Sequence, residues 1–294
     1  MPGATESLES LRAIIVGQFP DLAEAPCTLL AAGWDSLAVD VDDRWIFKFP
    51  READAERSLR REAGLLELVR GVVTLPVPSL TLFETPRLFS RHAKIPGEHL
   101  VTAPYDALEE KGRAALGETL GQFYAELHTI SPDAAKAAGA LPLEDWLPAD
   151  ETLRKVWPVL PTELRPFAET TLRDWTALPP DPLGCTYGFY DGHGWNMAFD
   201  HQSGRLNGIY DFADSGIGDL QEEFIFSNFI SPDLTERIIN SYEQQTGRSV
   251  DRDRVHTLTG AHRLWELAVD VGGSVPASEL LENVTLWART LSTG

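Results

Sequence analysis

The chain has 294 residues, 43% of them apolar, and sets 25 Lys and Arg against 45 Asp and Glu for a net charge of −20. That is enough polypeptide for two lobes or one large domain, and so acidic a field repels nucleic acid and anionic membrane while attracting cations. No stretch approaches roughly eighteen uncharged apolar residues, the first residues carry acids where a signal peptide has a basic segment, and Cys27 and Cys185 are too few for a disulfide framework; the expectation is a cytoplasmic protein without a membrane or nucleic-acid partner.

Leu8, Leu11, Ile14 and Ile15 recur at helical spacing and predict an opening helix over 6–19. Residues 27–30 and 37–41 read as strands around a turn that contains Gly33, the shape of either a nucleotide-covering loop or an ordinary hairpin. After the Asp42-Asp43 turn comes a strand, Arg44 to Pro50, with Lys48 among apolar neighbours. A buried, unpaired ammonium is strongly disfavoured, so Lys48 needs an anion, or else points outward from an edge strand. The helix that follows, 55–70, has an apolar stripe of Leu59, Ala63, Leu66 and Val69, with Glu62 adjacent to it; Glu62 is the first candidate partner and Glu56 the second.

Strands are predicted at 77–83 and 87–91, running into a turn at Pro96-Gly97. Leu116, Leu120, Phe123, Leu127 and Ile130 mark an amphipathic helix over 113–130, and His128 at its end reads as structural. Residues 141–182, rich in Pro and Trp, suggest short helices and loops.

The most informative stretch runs from Tyr187 to Asp219. Met197, Phe199 and Ile209 flank a turn ending in Ser203-Gly204, which predicts a hairpin. A hairpin joins its ends, so Asn196 and Asp211 become neighbours, with Asp191 five residues before Asn196. A carboxylate to orient a hydroxyl, then an amide oxygen and a second carboxylate to hold Mg²⁺, are the parts a phosphoryl-transfer site needs. Taken singly, Asp191-Gly192 is an ordinary turn and Asp211 a capping residue. Only one of the five Asn residues, however, stands five positions after an Asp and in front of such a hairpin. Beyond Asp219 the chain reads as helical over 220–230, 234–246, 252–271 and 277–291, with acids that mostly form a solvated face.

The ordered set Lys48, Glu62, Asp191, Asn196 and Asp211-Phe212-Ala213 resembles the aminoglycoside phosphotransferase and choline-kinase family, which shares its fold with the protein kinases. The resemblance spans about 28–270 and is densest at 44–69 and 187–224. It implies an α+β, bilobal, protein-kinase-like fold: a small antiparallel-sheet nucleotide-binding lobe over 1–95 and a larger, mainly helical catalytic and acceptor-binding lobe over 96–294. It implies ATP or GTP with Mg²⁺ as cofactors, Asp191 as the catalytic residue, and Asn196 and Asp211 as metal ligands. Lys48, Glu62, Ser36 and the main chain near Ala93 and Ile95 would serve the nucleotide. Acids in the regions of Asp214, Glu223 and Trp265-Glu266 would bind the acceptor. The acceptor would be a small cationic molecule, with an aminoglycoside leading over choline, a macrolide or a sugar, and the protein a monomer or dimer. The sequence departs from the family at Phe189, where a His is usual. That departure, with a turn at 31–36 that holds only Gly33 in place of a multi-glycine loop, motivates a competing reading as a nucleotide-binding module without turnover. A third reading, an acidic α+β interaction protein, treats the motifs as coincidence.

Overall fold

The computed structural model describes residues 7–30, 36–270 and 277–291. In chain order its regular elements are α1 (Leu8–Gln18), β1 (Cys27–Leu29), β2 (Ser36–Val41), β3 (Trp45–Pro50), α2 (Ala53–Arg70), β4 (Thr81–Phe83) and β5 (Phe89–Ala93). There follow α3 (Thr102–Asp106), α4 (Glu110–Leu127), α5 (Pro132–Ala137), α6 (Ala149–Val156), α7 (Arg165–Thr176), β6 (Cys185–Gly188), β7 (Met197–Asp200), β8 (Arg205–Ile209) and β9 (Gly216–Asp219). A 3₁₀ segment, Leu220–Phe229, leads into α8 (Pro232–Thr246), α9 (Arg252–Asp270) and α10 (Ala277–Leu291).

Strands β1 to β5 form one antiparallel sheet in the order β1-β2-β3-β5-β4. The three-residue β2–β3 turn, between the paired Val41 and Trp45, places both Asp42 and Asp43 at positive φ, a backbone that Asp tolerates. Along β3 the side chains alternate. Phe47 and Phe49 enter a core with Leu11, Ile15, Val39, Val41 and Phe89, whereas Lys48 lies on the opposite face, paired in register with Ala38 and Ser90. Residues 77–80 do not extend β4 as the alternation predicts. Prolines at 76 and 78 offer no N–H, and the Pro76 carbonyl instead accepts from Ile209, which ties this segment to β8. The next strand is shifted likewise, to Phe89–Ala93.

The larger lobe is helical, and α4 crosses α8 around Leu116, Leu120, Phe123, Ile238 and Ile239 in a core that also takes the inner face of α2. α4 ends at Leu127; Ile130 still reaches the core, through a turn in which its N–H meets the Leu127 carbonyl. Two small two-stranded sheets hang on this body. β6 pairs antiparallel with β9, and β7 with β8, so the loop after β6 and the loop before β9 lie side by side. The β7–β8 hairpin forms where the alternation predicts it, with Gly204 at φ +66° and its N–H on the Asp200 carbonyl. The predicted Gly33 turn falls outside the described residues. Among the described residues no helix is long and apolar enough to cross a membrane.

Leu120 is fully buried in the α4–α8 contact. Leu120→Ala is expected to lower stability by about 2–5 kcal/mol, read as a lower urea midpoint at unchanged slope.

Candidate active site

Lys48 Nζ lies 3.1 and 3.3 Å from the two Glu62 carboxylate oxygens and 3.0 Å from Asp211 Oδ1, a residue 163 positions further along the chain. Glu62 sits on the buried face of α2 itself, with Ala55, Leu59, Leu65, Leu66 and Val69, rather than beside it. Glu56 takes no part in this ion pair. Burial alone would lower the Lys48 pKa, but Glu62 and Asp211 outweigh it and hold the ammonium charged far into the alkaline range. For Glu62 burial prevails and its pKa is raised, although Lys48 and the Phe212 N–H, 3.1 Å from Oε1, favour the anion.

The β7–β8 hairpin brings its two ends together: the Tyr210 N–H donates to the Asn196 carbonyl at 3.0 Å, so Asp211 follows directly beside Asn196. Asn196 Nδ2 donates to Asp191 Oδ2 and to the Asp191 carbonyl. That turns the Asn196 amide oxygen away from Asp191 and toward the cleft. Lys48 occupies Oδ1 of Asp211 and leaves Oδ2, on a side chain 46% exposed. Two oxygen donors beside a triphosphate site suit Mg²⁺, which keeps waters and phosphate oxygens in most of its coordination sphere. Among the described residues no group of three or more His, Cys, Asp or Glu gathers to cage a metal without a ligand's help.

The backbone bears strain at two points here. Tyr190, just before Asp191, has φ +52°, and Asp211 has φ +68°. Such left-handed residues persist only where their surroundings over-determine them. Glu223 provides this at the first point. It is fully buried, and its oxygens accept from the Phe189 N–H at 2.7 Å, the Tyr190 N–H at 2.8 Å and His128 Nε2 at 3.3 Å. Glu223 is therefore corrected from acceptor ligand to internal anchor of the Asp191 loop: both its oxygens are engaged inside the protein and the residue is fully buried. His128, whose Nδ1 meets the Tyr242 hydroxyl at 3.0 Å, is structural as the sequence implies. Phe189, in the place of the usual His, packs tilted against Phe212 at 4.6 Å and meets Phe123 edge-on at 6.3 Å, so its ring ties the Asp191 loop to the Asp211 loop through packing.

The remaining predicted residues sit around this centre. Ser36 opens β2, opposite Pro50. Ala93 closes β5, with its carbonyl 2.9 Å from His92 Nδ1, and Ile95 packs against the backbone of Gly208 on β8. His92 is neutral, its pKa pushed down to about 4 by burial. Asp214 is exposed in the turn before β9. On α9, Trp265 stacks on Trp146 at 6.1 Å, and Glu266 lies close enough to His193 and Asp191 to feel their charges; burial pushes its pKa up to about 7. Two residues escape the sequence reading. His193 Nε2 is 3.0 Å from Asp191 Oδ1. Trp195, 59% exposed, lies against His99 at 4.9 Å. The one available signal for both was proximity to Asp191 in sequence.

A profile of the phosphotransferase enzyme family matches residues 26–258. The chain belongs to that family. Among solved structures, this phosphotransferase is similar to the GDP complex of wild-type aminoglycoside 2'-phosphotransferase-IIIa, with TM-score 0.81 and 20% identity over 97% of this chain and 99% of that one. The GDP and kanamycin complex of APH(2'')-IIIa aligns with TM-score 0.74 at 20% identity, covering 97% of this chain and 99% of that one. A macrolide 2'-phosphotransferase, MphH from Brachybacterium faecium, aligns with TM-score 0.65 at 18% identity over 92% and 97% of the two chains. At these identities the likeness establishes the kinase-like fold. Comparison with curated proteins gave no match.

If Glu223 anchors the loop rather than the acceptor, Glu223→Ala should cost about 2–5 kcal/mol of stability, because it strands buried N–H donors. Thermal or urea melting checks this, and any activity that remains should show an unchanged acceptor KM.

Proposed function

We propose that this phosphotransferase moves the γ-phosphoryl group of ATP or GTP to a hydroxyl of a small cationic molecule, with an aminoglycoside antibiotic as the leading acceptor and resistance as the consequence. The observation that carries the reading is the meeting of Lys48, Glu62 and Asp211 within 3.0–3.3 Å, beside Asp191 and Asn196. Lys48 would bind the phosphates, held there by Glu62. Asn196 and Asp211 would hold Mg²⁺, which neutralises charge on the triphosphate when bound. The main chain near Ala93 and Ile95 would meet the base, with Ser36 by the phosphates, which puts the lobe boundary near residue 95. Asp191 would align the acceptor hydroxyl and take its proton late in transfer, since a carboxylate is a weak base for an alcohol. Alignment alone can supply roughly 7–11 kcal/mol at its upper end.

The acceptor side favours a cation. Glu266, next to Trp265 of the Trp146–Trp265 pair, lies within electrostatic reach of Asp191, and the chain carries a net −20. A charge pair ~4 Å apart is worth about 1 kcal/mol in water and ~4 at an effective dielectric of 20. The aminoglycoside and macrolide phosphotransferases named above fit either acceptor to this fold, and the acidic edge favours the aminoglycoside. The rival reading without turnover rested on Phe189 and on the sparse glycine loop; the packing of Phe189 on Phe212 weighs against the first ground, and the Gly33 turn lies outside the described residues.

Purified protein with Mg-ATP or Mg-GTP should phosphorylate at least one member of a panel of aminoglycosides, macrolides, choline and sugars. Asp191→Ala should lower kcat at least ~10³-fold while nucleotide-induced thermal stabilisation persists. No transfer anywhere on the panel would sink the proposal. Glu266 gives a pH signature. Its raised pKa means that the anion is present above about pH 7 and lost below it, so kcat/KM for a cationic acceptor should fall as pH drops from 8 to 6. Glu266→Gln should remove that limb and weaken the acceptor by about tenfold, or ~1.4 kcal/mol.

A further inference from the structure

We infer that His193 is a positioning residue that holds the Asp191 carboxylate in the orientation from which it aligns the acceptor hydroxyl; this rests on the function proposed above. His193 Nε2 lies 3.0 Å from Asp191 Oδ1, while Asn196 Nδ2 donates to Oδ2. One donor would leave the carboxylate free to turn about its Cβ–Cγ bond. The ion pair at Oδ1 and the Asn196 donor at Oδ2 engage different oxygens, which fixes the carboxylate plane and leaves lone pairs for the substrate side.

The loop is built so that the ring arrives there. The His193 N–H closes back on the Asp191 carbonyl at 2.9 Å, and the Asn196 N–H closes on the His193 carbonyl at 3.1 Å. On either side of His193 the backbone is pressed too close for a side chain. A Cβ on Gly192 would stand 2.1 Å from the Tyr124 hydroxyl, and one on Gly194 would stand 1.6 Å from the Leu100 carbonyl oxygen. The Leu100 N–H also donates to the Gly194 carbonyl at 3.0 Å. Clamped at both neighbours, residue 193 has little freedom to place its ring elsewhere. Among the described residues the ring's Nδ1 has no hydrogen-bond partner, so Asp191 is the polar anchor of the imidazole rather than one of several. His193 thus couples the clamp of the loop to the carboxylate that the reaction uses.

The test compares His193→Leu and His193→Gln with wild type, because the Gln amide nitrogen reaches about where Nε2 stands and Leu offers no donor. Wild-type transfer, measured alongside, reports on the proposed function itself; the ratio of variant to wild-type rate reports on His193. His193→Leu is expected to lower kcat about 30–100-fold, the scale of a misplacement near 1 Å, with both KM values within about twofold and the nucleotide-induced melting shift kept. His193→Gln is expected to recover about tenfold of that loss. The inference is overturned if His193→Leu keeps kcat within about threefold, if the loss falls on KM, if the nucleotide shift vanishes with it, or if His193→Gln is as slow as His193→Leu.

Discussion

A single ammonium group organises the cleft. Lys48 projects from the face of β3 opposite the Phe47 and Phe49 core, into a place that a lone charge could not occupy. Two carboxylates make it tenable, one from α2 and one from the loop after β8, and the group therefore joins three segments remote in sequence. The pairing leaves an excess of one negative charge at the junction. The cost of burial thus falls on Lys48 and Glu62, while Asp211 stays half exposed.

The two most deeply buried glutamates of the site do related work. Glu62 accepts the Phe212 N–H just after Asp211, and Glu223 accepts the N–H groups of Phe189 and Tyr190 just before Asp191. Each carboxylate thus grips backbone next to a left-handed residue, Asp211 in one case and Tyr190 in the other. A buried anion that takes several N–H donors is hard to displace, because its release would leave both the charge and the donors unsatisfied. Strain that would otherwise relax is held in place, and Asp191 and Asp211 are presented by turns fixed at their backbone. Phe189, Phe212 and Phe123 close the gap between these turns with an apolar contact. The ring at 189 can therefore replace an imidazole: the position is buried among other rings, and the loop's hydrogen bonds are made by backbone to Glu223.

Much of this was legible in the sequence wherever one residue type had a single tenable use. Lys48 in an apolar strand, Glu62 one helical stripe further on, and Asp191 and Asn196 before a hairpin ending at Asp211 all assemble as the spacing implies. What could not be read was direction. Glu223 and Glu266 are both acids on the late helical segments, yet one is sealed inside with three donors and the other lies within electrostatic reach of Asp191. Periodicity cannot separate them, because the segment holding Glu223 is a 3₁₀ stretch whose residues are nearly all buried, so no polar face marks which way its acids point. His193 was hidden for a different reason, since its role depends on a backbone that doubles back within a few residues. The shortfall of β4 was local, a matter of prolines that cannot donate to a ladder.

The acceptor wall raises a separate physical question, why aromatic rings should stand beside acids. Trp146 meets Trp175, Trp265 and His262 at 5.5, 6.1 and 5.2 Å, and Glu266 follows Trp265 on the same helix. His262 is neutral, its pKa pushed down to about 3 by burial, so it adds ring surface without opposing charge. Arg263 lies on the same turn of α9, yet its guanidinium is buried over the Phe229 ring at 4.4 Å and donates to the Asn228 carbonyl, so it is committed inward. The cluster therefore sets partly buried apolar rings beside a carboxylate. Amino sugars combine such features, with ring C–H faces that pack on indole and ammonium groups that seek an anion. For the acceptor proposed above, a neutral sugar would use only the first and a compact ammonium mainly the second, whereas a cationic ring system would use both.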